Sequence, residues 1–121
     1  MLTLIKNADV YTPRAIGRRD VLLAGDKIAM IAPCGGIPEQ FPALRVIDAA
    51  GKLLTPGFID LHVHITGGGG EDGFSSRAPE SRLTDFTEAG VTTAVGLLGT
   101  DGVTRSLEAL YAKACALTEE G

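Results

Sequence analysis

Both histidines of this 121-residue chain lie in one short run, Pro56-Gly57-Phe58-Ile59-Asp60-Leu61-His62-Val63-His64. Imidazole is a good ligand for zinc and neighbouring divalent metals. Side chains two residues apart on a strand face the same way, so His62 and His64 should project together. Asp60 shares their parity, one step deeper. Two roles fit it equally: orienting an imidazole from behind, or making a structural hydrogen bond. A bare His-x-His is common by chance, so its weight comes from context. Here it follows an apolar strand and precedes a Gly-rich loop. That is the carboxyl end of a parallel strand, where barrel enzymes keep their active sites.

Two further runs offer chemistry. Thr66-Gly67-Gly68-Gly69-Gly70-Glu71-Asp72-Gly73 holds four consecutive glycines, which let backbone approach a ligand closely. Glu71 at its end is placed to pair with a cationic group; a flexible loop or a solvated acid fits these residues equally well. A phosphate-binding loop is excluded in practice, because no Gly-Lys-Ser/Thr follows and the nearby charges are acidic. In Gly96-Leu97-Leu98-Gly99-Thr100-Asp101, Gly99 and Thr100 should reach the same strand ends as the histidines. A turn or helix-cap role is the plainer reading for Thr100 or Asp101.

The elements that must position these residues fall into two textures. Residues 1–55 read as a small β module. Leu2-Thr3-Leu4-Ile5 opens it, and Asp20–Ala24 and Lys27–Ile31 flank Gly25-Asp26 as a tight hairpin. Residues 33–42 form a loop, and Arg45–Ala49 with Lys52–Leu54 suggest another short pair around Ala50-Gly51. Residues 56–121 change character. A strand is expected over 58–64 and a helix over 79–89, with Pro79 in its first turn and Gly90 just past its end. The β-branched run 91–98 suits a buried parallel strand, and 105–120 suits an amphipathic helix. Strand, helix, strand, helix is a βα repeat. A complete eight-unit barrel takes about 250 residues, so two units make an incomplete one, and the chain reads as truncated after Gly121.

Composition narrows the class. The net charge is −4, and Arg18-Arg19 is the sole basic pair, which argues against nucleic acid as a partner. No apolar run approaches a membrane span, and the first residues lack the pattern of a signal peptide. Cys34 and Cys115 form no CxxC, so reduced thiols and a cytoplasmic location are expected, with Cys115 as an apolar filler.

The stretch from Val46 through Ile47-Asp48-Ala49-Ala50-Gly51-Lys52-Leu53-Leu54-Thr55-Pro56-Gly57 to His64 resembles the segment leading into the barrel of the amidohydrolase superfamily. That superfamily includes dihydroorotases, hydantoinases, deacetylases and several deaminases. His64-Ile65-Thr66-Gly67-Gly68-Gly69-Gly70-Glu71, Glu88-Ala89-Gly90-Val91-Thr92 and Val95–Asp101 look like the isoaspartyl (β-aspartyl) dipeptidases within it.

The resemblance implies an α/β fold: the amino-terminal part of a TIM-type (β/α)8 barrel preceded by a small β-sandwich-like module. It implies two zinc ions that activate a hydroxide, and a small β-aspartyl dipeptide as substrate. His62 and His64 match the pair that holds the more buried zinc. Glu71 matches the acid that holds the substrate's α-ammonium, and Gly69 and Thr100 match substrate contacts. The family's bridging lysine, two further histidines and general acid/base have no counterpart in these residues, so the catalytic groups are expected beyond Gly121. Two alternatives stand beside this reading. One is another amidohydrolase acting on cyclic amides or N-acyl groups. The other is an inactive, self-associating fragment, since an open sheet edge invites pairing. A homo-oligomer is expected.

Overall fold

Strand β1 (Leu2–Tyr11) is the spine of the first part of the chain. It pairs antiparallel with β2 (Ala15–Ala24), and β2 pairs antiparallel with β3 (Lys27–Pro33). The β2–β3 turn falls on Gly25-Asp26, where Gly25 takes φ +62°, the positive value a tight hairpin needs. On its other edge β1 pairs parallel with β4 (Leu44–Asp48) and then β5 (Leu53–Leu54). The computed structural model describes residues 1–121 and divides into two compact units, Met1–Pro56 and Gly57–Gly121.

The first unit is a single mixed sheet of five strands, in the order β3-β2-β1-β4 with β5 on β1. The expected pairing of the two segments around Ala50-Gly51 with each other is corrected here. A bulge in β1 between Ile5 and Ala8 presents the carbonyls of Lys6 and Asn7 to the amides of Ala49 and Gly51, each at 2.8 Å. The turn is thereby tied to β1, so β5 resumes along the same strand instead of doubling back on β4. Ala8, Val10 and Val21 form the apolar centre, with Ile5, Ile16, Leu23, Ala49 and Leu54 packed around them. Asp20 is buried in this unit, and its carboxylate accepts hydrogen bonds from the amides of Asn7 (2.9 Å) and Gly35 (2.7 Å). A buried carboxylate needs such donors to offset lost hydration.

In the second unit β6 (Phe58–Val63) and β7 (Val91–Gly96) run parallel. They are linked through the glycine loop, a 3-10 turn at Phe74–Ser76, and helix α1 (Leu83–Glu88). Helix α2 (Leu107–Glu120) follows β7, capped by Ser106, whose hydroxyl accepts from the Ala109 amide at 3.2 Å.

Helix α1 begins four residues later than the Pro79 pattern predicts. The backbone of 78–81 is already committed: the Ala78 amide donates to Gly68 O (2.8 Å) and the Ser81 amide to Ile65 O (3.1 Å). The helix starts only where Arg82, extended at φ −104° and ψ 156°, caps it, its amide donating to the Asp85 carboxylate at 2.8 Å. The run 91–98 is a strand only to Gly96, and it is not buried in this chain. Thr92–Val95 are exposed because β6 is the sole strand beside them. Helix α2 half-buries Leu110, Ala114, Cys115 and Leu117, while Leu107 and Tyr111 stay exposed. No helix is long and apolar enough to cross a membrane.

Candidate metal and substrate site

His62 lies on the last turn of the pleat of β6, and His64 is the first residue past its end. The two rings come together edge to face, with centroids 5.1 Å apart and planes at 83°. The strand parity therefore brings the imidazoles side by side. Asp60 accepts the backbone amide of His62 at 3.0 Å. Of its two sequence-level roles, the structure displays the local structural bond.

His64 is fixed by its neighbours. Its Nδ1 lies 3.2 Å from the Leu97 carbonyl. A carbonyl only accepts, so Nδ1–H is the donor of this contact, which in the neutral ring leaves the Nε2 lone pair for a metal. The ring is flanked by Gly68 and Gly99: a Cβ on Gly99 would sit 3.2 Å from Nδ1, and one on Gly68 would sit 3.4 Å from Cδ2. Gly99 also has φ +79°. Any larger residue there would press on the imidazole from a strained backbone.

The next residue along each loop joins the two. The Thr100 hydroxyl is 3.2 Å from Gly69 O and 3.2 Å from a carboxylate oxygen of Glu71. Gly69 (φ +69°) has no room for a side chain, since a Cβ would lie 2.4 Å from Ser76 O. Gly69, Glu71 and Thr100 thus meet in one hydrogen-bonded group, joined to the His64 pocket through Gly68 and Gly99. Glu71 remains exposed, as a carboxylate must be to receive a cation from solution.

Asp101 takes the turn role. It accepts the amides of Val103 (3.1 Å) and Thr104 (2.9 Å) and the Thr104 hydroxyl, with Arg77 Nε 3.6 Å away. The bonds from Thr104 hold its pKa down to about 2, with help from Val103 and the Arg77 charge.

Sequence reasoning passed over Arg105. It is buried, at 4% exposure, and its guanidinium donates to the carbonyls of Thr66 (3.1 Å), Gly68 (3.0 Å), Gly69 (3.3 Å) and Ala78 (3.3 Å). The available signal was a lone arginine directly before the Ser106 helix cap, close enough to the end of β7 to reach back under the loop after β6. The hydroxyl of Thr66, beside it, is buried without a partner.

Two unhindered imidazoles suit a divalent metal as part of its ligand set. A complete site needs more donors, and no group of three or more histidine, cysteine or acidic side chains occurs in this chain.

The likeness to known proteins agrees with this geometry. A model of the amidohydrolase family matches residues 45–102, from β4 through the histidine pair to the loop after β7. The whole chain superimposes on β-aspartyl dipeptidase of Fervidobacterium islandicum AW-1 with a TM-score of 0.87 and 49% identity, covering 33% of that protein. The chain belongs to the amidohydrolase superfamily. A second structure of that dipeptidase, in complex with a β-Asp-Leu dipeptide, matches the whole chain at 50% identity and a TM-score of 0.83, over 31% of its length. Among curated amidohydrolase relatives, a dihydroorotase of Halalkalibacterium halodurans is 36% identical over 109 residues, 89% of this chain and 24% of the dihydroorotase. The chain spans a third or less of the length of these relatives. A D-hydantoinase of Thermus sp. matches 93% of the chain at 29% identity and a TM-score of 0.64, over 24% of its own length; with the dipeptidase it places the mixed α/β chain among amidohydrolase (β/α)8-barrel enzymes.

Proposed function

We propose that the protein carrying this chain hydrolyses β-aspartyl dipeptides in a metal-dependent reaction. The observation that carries the reading is the whole-chain likeness, at 50% identity, to a dipeptidase bound to β-Asp-Leu. His62 and His64 would hold a divalent metal, zinc in this proposal, as part of a two-metal centre. Bound there, the metals would activate water at neutral pH and polarise the scissile carbonyl. The remaining ligands and the general acid/base would come from outside these residues.

What this chain contributes is substrate orientation. Glu71 receives the α-ammonium of the β-linked aspartate in a charge-assisted hydrogen bond, which fixes the amide relative to the histidine pair. The Thr100 hydroxyl, whose one hydrogen is shared between Glu71 and Gly69 O, sits beside the carboxylate, and the backbone of Gly69 lines the same pocket. The barrel completed around them, with the first unit as half of a β-sandwich, a cytoplasmic location and a homo-oligomer belong to the same proposal.

The 36% likeness to a dihydroorotase favours a second reading, a cyclic-amide hydrolase. Turnover of β-Asp-Leu by the intact protein, with and without a chelator, tests the first. Glu71→Gln separates the two: a loss of charge against an ammonium costs about 10- to 100-fold in kcat/KM on the dipeptide. A cyclic-amide hydrolase would show no turnover of the dipeptide and little response to Glu71→Gln on its own substrate.

A further inference from the structure

We propose that Arg105 is a positioning residue that sets the substrate preference of the site by clamping the glycine loop beneath Glu71. The inference rests on the dipeptidase reading for its functional half and on the geometry alone for the clamp.

Arg105 is buried and has no carboxylate partner within ion-pair distance. A buried cation without a counter-charge is costly unless dipoles replace its water. Here the carbonyls of Thr66, Gly68, Gly69 and Ala78 converge on it. They come from two separate segments, the loop after β6 and the irregular segment leading to α1. A planar fork with five donors can bind both at once; a lysine ammonium, a single point with three donors, cannot.

The loop needs such an anchor. Four consecutive glycines have wide conformational freedom, so a loop of that composition holds one shape only when something outside it supplies the bonds. The carbonyl of Gly69 is where the clamp meets the site, because it accepts from Arg105 Nη1 and lies 3.2 Å from the Thr100 hydroxyl, whose one hydrogen is shared between this carbonyl and Glu71. Thr100 in turn contacts Glu71. Arg105 therefore acts through the loop backbone, fixing the atom beside which the Thr100–Glu71 pair is built.

The test uses the intact protein and two amides that differ by one group: β-Asp-Leu and N-succinyl-leucine, which lacks the α-ammonium. In Arg105→Lys the KM for β-Asp-Leu should rise by about tenfold, with kcat changed by less than about threefold and N-succinyl-leucine kcat/KM nearly constant. The preference for the ammonium-bearing substrate then falls by about tenfold, and amide hydrogen exchange at 67–73 quickens. Equal losses on both substrates, or an unchanged preference, overturn the role. Should Arg105→Lys fail to fold, Thr100→Val decides: it should lower the same preference without altering loop exchange, and an unchanged preference overturns the relay. A wild-type protein that cleaves β-Asp-Leu no better than N-succinyl-leucine refutes the dipeptidase reading instead. In that case exchange at 67–73 judges the clamp, upheld if faster in Arg105→Lys and overturned if not.

Discussion

The imidazole of His64 is locked to the adjoining loop by a 3.2 Å contact between its Nδ1 and the carbonyl of Leu97, two residues before Gly99 closes over the same ring. This contact leaves Nε2 as the free donor, which is what metal binding by this residue would need. Gly99→Ala places a methyl group 3.2 Å from Nδ1 at a backbone φ of +79°. The bond to Leu97 should break, and zinc affinity of the intact protein should drop by about 10- to 100-fold, as for loss of other outer-sphere partners. Competition titration with a chromogenic chelator measures this; an unchanged affinity would mean that the Leu97 contact does not orient the ring.

Asp101 gives a pH signature. Its folded pKa, about 2, lies below the ordinary 3.8. A depressed carboxylate pKa contributes stability that is present above the unfolded value and lost as pH falls through the folded one. The stability gap between wild type and Asp101→Asn should therefore be constant above about pH 5 and shrink between about pH 4 and 2. Urea midpoints across that range check it; a gap independent of pH would remove the charge from the account.

These two sites show how far the sequence could be followed. His62 and His64 were legible because strand parity is a local rule, and β6 and β7 followed from apolar and β-branched runs. The shortening of α1 was not legible, because 78–81 is held on its path by bonds to Gly68 and Ile65, distant in sequence, and the helix starts only at an extended Arg82. Arg105 was hidden for the same reason. Its acceptors lie 27 to 39 residues away and are backbone carbonyls, which carry no residue identity. The order of β4 and β5 on β1 likewise depends on a bulge at Asn7 that no turn motif announces.

The second unit, taken as this chain alone, exposes Ile59, Leu61 and Val95 at 65%, 71% and 42%. Apolar strands with one partner each recruit further strands. The 121-residue chain by itself should self-associate and should not hydrolyse β-Asp-Leu. Light scattering combined with an activity assay checks both; a stable monomer, or full activity, would contradict this.

Everything proposed for catalysis depends on the two imidazoles sharing a cation. Anomalous diffraction at the zinc edge, from crystals of the intact protein grown with zinc, is the most direct measurement. The account predicts a peak within about 2.0–2.1 Å of Nε2 on both His62 and His64. Rings that point apart, or a zinc peak elsewhere with neither imidazole in reach, would contradict it.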